Sequence, residues 1–113
     1  MTIERELELI HQLIRQSGKL IEVEMRARIA GENELADEVA TRFERLQREI
    51  DRLRGRAADG WIDRAEDLHE DLRAANATVQ RRIRQIRDGV DVARDVTAVI
   101  AAVDDVLALL GGE

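Results

Sequence analysis

Glu8-Leu9-Ile10-His11 and Glu66-Asp67-Leu68-His69 contain the chain's only two histidines, each three residues after a glutamate. Glu-x-x-His on two helices of a bundle is half the ligand set of a di-iron carboxylate centre. The other half is one glutamate from each of the two remaining helices. Glu8, His11, Glu66 and His69 are therefore the candidate metal ligands. They can bind metal together only if all four side chains turn inward, so the question passes to the helices that carry them.

The 113 residues include no proline and no cysteine, and Phe43 and Trp61 are the only aromatics. With Ala, Leu, Arg and Glu abundant, that composition predicts nearly continuous helix. The expected fold is all-α: an antiparallel, up-down-up-down four-helix bundle in one domain over 1–113, with coiled-coil-like heptad seams. The helices are expected at 2–30, 33–57, 61–88 and 90–110. Gly31-Glu32-Asn33, the stretch from Arg54 to Gly60, and Asp88-Gly89 punctuate them.

Helix one is expected to centre its apolar face on Ile3, Leu7, Ile10, Ile14, Ile21 and Met25, with Leu9, Leu13, Leu20 and Val23 as flanks. Apolar residues cover more than half of its circumference, which implies contact with two or more neighbours. Ser17-Gly18 marks a close approach, a mild kink or a break. Helix two has a narrower stripe at Leu35, Val39, Phe43, Leu46, Ile50, Leu53 and Ala57. Helix three carries Ala65, Leu68, Leu72, Ala75, Val79, Ile83 and Ile86. Val92, Val96, Val99, Val103, Val106 and Leu110 point about 130° away from that stripe at 100° per residue, so a separate fourth helix follows.

Helices two and three both open acidic and close basic, as the helix macrodipole favours. Paired side by side in opposite directions, each basic end would lie against the other's acidic start, and that hairpin is the expected pairing.

Directions then weigh on the metal. His69 lies about 70° and Glu66 about 130° from the centre of their helix's apolar stripe; for His11 and Glu8 the angles are about 90° and about 150°. Both glutamates look away from the core, and the seams of helices two and four offer no acid. Glu-x-x-His arises easily where 37% of residues are charged. A ferritin-like metal-binding bundle is the alternative, and no cofactor is expected.

Other chemistry is thinly represented. Ser17 is the only serine and Lys19 the only lysine, no phosphate-binding glycine loop occurs, and no triad assembles from spacing. Catalysis and a small-molecule substrate are not expected. Arg81-Arg82-Ile83-Arg84-Gln85-Ile86-Arg87 reads as a solvated face paired with acids on helix two. A net charge of −6 opposes general nucleic-acid affinity. The chain opens without a basic region and apolar core, so a cytoplasmic location is expected.

Helix four is the least ordinary feature. Val92, Val96, Val99, Val103, Val106 and Leu110 form one stripe, with Ala98, Ala101, Ala102 and Ala108 behind it. That stripe is either the innermost part of the bundle or an assembly surface. The expected function is non-enzymatic: a scaffold, adaptor or self-assembling subunit acting through protein–protein contacts, with a homodimer the foremost assembly and those six residues as the interaction set. A membrane-active use of helix 90–110 is the second alternative, weakened by that helix's acidic polar face.

Overall fold

The computed structural model describes residues 2–56, 62–87 and 90–110, and side chains at 7–55, 70–87 and 90–110. These residues form four helices, α1 (Thr2–Ile29), α2 (Asn33–Arg56), α3 (Ile62–Arg84) and α4 (Val92–Leu109). They pack into a rod of 45 × 21 × 19 Å.

Each helix ends for a visible reason. Gly31, at φ +81°, closes α1: its N–H donates to the Arg28 carbonyl at 3.0 Å, and the Glu32 N–H reaches back to Ala27 at 2.8 Å. This pair of reverse bonds satisfies carbonyls that the helix end would otherwise strand. A Cβ at Gly31 would touch nothing, so only the backbone demands glycine. Gly31→Ala is therefore expected to cost about 1 kcal/mol, lowering the thermal midpoint by about 5 °C. A thermal melt followed by circular dichroism reads it directly.

The break between the third and fourth helices falls earlier than the glycine at position 89 suggested. α3 ends at Arg84, and the chain turns so that Ile86 enters the core. The Ile86 carbonyl then accepts from Arg26 Nη2 of α1 at 3.0 Å. Arg87 and Val90 form an isolated bridge, Asp91 adopts a left-handed φ of 48°, and α4 begins at Val92.

All four helices feed one core. α1 packs on α2 and α3, and α4 packs on the same two helices. Among the described residues α2 and α3 do not meet, which corrects the expected charge-matched pairing of those two helices. They lie diagonally across the bundle, and the ion pairs run elsewhere. Arg42 of α2 grips Asp104 of α4 at 2.9 and 3.2 Å, and this two-point bond raises the guanidinium pKa above its usual value. Arg52 of α2 donates to the Leu110 carbonyl at 2.9 Å, capping the negative end of α4.

The apolar face of α1 is also corrected. Leu9, Leu13, Leu20, Val23 and Ala27 are buried, with Gln16 and Ser17 buried among them, and of the expected centre Ile10 is buried too. The positions expected as flanks are the centre, and several positions expected as centre face solvent. The helix runs unbroken through Ser17-Gly18. α2 follows expectation at Val39, Leu46, Ile50 and Leu53, with Leu35 and Phe43 partly covered. On α3, Leu72, Val79, Ile83 and Ile86 are buried as expected, together with one polar residue, Asn76. Ala57, Trp61, Ala65, Leu68 and Gly89 lie outside the described side chains.

Candidate interaction surface

Val92, Val96, Val99, Val103, Val106 and Leu110 are all buried within the chain's own core, joined there by Ile100, Ala102 and Leu107. The α4 stripe is interior, and the far side of that helix carries the Asp104 that holds Arg42. The folded chain presents none of those six residues as a surface.

Glu8 and His11 sit on α1 and are exposed; Gln12 Nε2 donates to Glu8 Oε1 at 3.3 Å. The side chains of Glu66 and His69 lie outside the described residues. Among the described residues no three His, Asp or Glu side chains gather closely enough to hold a metal ion. Two exposed groups one helical turn apart make a weak chelate, lacking the buried, hydrogen-bonded setting that orients metal ligands.

The arginines of the 81–87 run are exposed. Because α2 lies across the bundle, the acids expected opposite them are absent from that position. Asp95 of α4 adjoins the end of the run, its Oδ2 accepting from the Arg87 backbone N–H at 3.4 Å. Arg82, Arg84, Arg87 and Arg94 line an open groove beside Asp95.

Among the described residues the large apolar side chains left exposed are Val90, just ahead of α4, and four on α1. Leu7 is 47% exposed, Ile21 47%, Met25 58% and Ile29 83%, with Ile14 half-buried between them. At 100° per residue these five positions, with His11 and Gly18, fall within one sector about 80° wide. That sector is centred about 160° from the buried stripe of Leu9, Leu13, Gln16, Leu20 and Val23. One helix thus carries two apolar faces, one turned into the bundle and one turned out. Scattered exposed hydrophobics need no explanation, but a row along a single helix face makes that face the candidate contact surface.

Three features frame this face. Arg15, Lys19 and Glu22 are exposed along one edge, where Lys19 approaches Glu22 at 3.7 Å. Arg28 closes the other edge, tied to Glu24 at 3.0 Å and Asp37 at 2.9 Å. Gly18 lies at the centre, and a Cβ built there meets nothing within 4 Å. The face is apolar along its middle and charged at its margins, as helix–helix contacts are.

Among the described residues no helix is long and apolar enough to cross a membrane. No protein-family model, curated protein or solved structure matches the chain.

Proposed function

We propose that this chain is a non-enzymatic helical-bundle subunit that acts in the cytoplasm through protein–protein contacts, and that the outward face of α1 makes them. The observation that carries the proposal is the row formed by Leu7, Ile14, Ile21, Met25 and Ile29. Left in water, half-open Leu, Ile and Met side chains forgo about 25 cal/mol for every Å² of apolar surface that a partner would cover.

The bundle supplies a rigid mount for that face. Cross-helix bonds support an up-down-up-down course built from two antiparallel hairpins, α1–α2 and α3–α4. Arg28 meets Asp37 and Ser17 meets Gln47, so numbering rises in one helix as it falls in the other. Gln16 meets Asn76 and Arg26 meets Ile86, a parallel course for α1 beside α3. Buried positions stepping by 4 and 3, as in Leu9, Leu13, Gln16, Leu20 and Val23, support coiled-coil-like seams inside the bundle. A membrane-active role for α4 would first have to extract its valines from this core.

The test places a photo-crosslinking residue at Ile21 and, as control, at the exposed Ala101 of α4. Adducts in living cells are expected at position 21 and not at 101. The absence of adducts from position 21, or equal adducts from both, would remove α1 as the contact surface.

A further inference from the structure

We infer that the occupant of the α1 face is a second copy of this chain, laid antiparallel across it about a two-fold axis near Lys19. The inference rests on the reading that α1 is the contact surface and adds the partner and its register.

The first argument is charge. When identical helices pair antiparallel about a two-fold axis, each edge faces the same edge of the other copy. When they pair in parallel, opposite edges meet. Arg15 and Glu22 share one edge, seven residues apart, and Arg15 has no ion pair among the described residues. In the antiparallel arrangement with Ile14 opposite Met25 of the partner subunit, Arg15 lies beside Glu22 of the partner subunit, and the symmetry repeats the bond. Shifting the register by one heptad sets Arg15 against Arg15 and Glu8 against Glu22. In the parallel arrangement Arg15 and Glu22 meet Ile10 and Ser17, which are already buried in the bundle. Charge pairing of this kind selects orientation and register in coiled coils.

The second argument is Gly18. Glycine inside a helix is costly, and nothing among the described residues requires it here, since an added Cβ meets no atom within 4 Å. In the register chosen by charge, Gly18 faces Ile21 of the partner subunit, and the missing side chain admits the isoleucine and lets the backbones close. The two copies would overlap along about 30 Å of helix.

The chain contains no cysteine, so introduced thiols report pairing without background. Ile14→Cys and Met25→Cys are purified separately, mixed and oxidised. The 14–25 mixed disulfide is expected to exceed the 14–14 and 25–25 products. Sedimentation equilibrium should show the wild-type mass rising from 12.8 kDa toward twice that value with concentration. Gly18→Leu should stay near the single-chain mass, with its helical circular dichroism retained. A wild-type chain that stays monomeric overturns the inference, as does predominance of the 14–14 and 25–25 products or unchanged association of Gly18→Leu. Failure here with adducts of another mass from position 21 leaves α1 as the surface and changes only its partner; failure of both removes the surface itself.

Discussion

Val99→Asp is expected to abolish cooperative folding. Val99 is fully buried in α4, with Val96 and Val103 equally enclosed on either side. A carboxylate there has no cation within the core, and an uncompensated buried charge costs several kcal/mol even after relaxation. A domain of this size holds only about 5–15 kcal/mol in reserve. Helical circular dichroism at 25 °C should fall to that of an unfolded chain. Ala101→Asp, on the exposed side of the same helix, should leave the urea midpoint within about 0.5 kcal/mol of wild type. If Val99→Asp instead keeps its helicity and unfolds cooperatively, the α4 stripe is not interior and the assignment of core and surface must be exchanged.

The second large effect concerns the polar pair in the core. Gln16 is fully buried, and its Nε2 donates to Asn76 Oδ1 at 3.0 Å. Asn76 Nδ2 in turn donates to Gln12 Oε1 at 3.2 Å, and Gln16 Oε1 is buried with no partner. Asn76→Leu strands the remaining end of the Gln16 amide and is expected to cost about 1–3 kcal/mol. Adding Gln16→Leu should recover most of that loss, because removing both partners of a buried bond is nearly neutral. A double-mutant cycle from urea midpoints is expected to give a coupling of about 1–3 kcal/mol. Additive effects would mean that the two amides are held independently.

These amides explain why helix one was misread. Positions 16 and 17 are Gln and Ser, so a count of apolar residues discards the face to which they belong. Leu7, Ile14, Ile21 and Met25 then outscore it, although the bundle pairs Gln16 Nε2 with Asn76 and Ser17 with the Ile14 carbonyl at 2.8 Å. Long-range partners sixty residues away are invisible to local periodicity. What the sequence did carry was the breadth of the apolar surface, too wide for one neighbour. α2 and α4 were legible because their stripes hold no buried amide: every expected α4 position is interior.

Charge order misled in a different way. α2 and α3 share an acidic-to-basic gradient because each obeys its own macrodipole, and that preference says nothing about which helices touch. Their exposed pairs are individually weak and cannot choose a topology against the core. The short turn around Gly31 makes α1 and α2 neighbours, while the cross-helix bonds of Arg26, Arg42 and Arg52 join α1 to α3 and α2 to α4. The helix count was readable from the change of stripe direction after Ile86. The exact break was not, since the Ile86 carbonyl beyond it accepts from Arg26, a partner sixty residues away.

The outward face of α1 is expected to be covered when the protein works, and Met25, 58% exposed on that face, is the natural reporter. Cells producing the wild type or Ile21→Glu are pulsed with peroxide, and sulfoxide at Met25 is followed by mass spectrometry. The wild type is expected to oxidise several-fold more slowly than the variant, because its partner shields the thioether. Equal rates, at the level of a freely exposed methionine, would show an α1 face that stays open to water and would contradict the account.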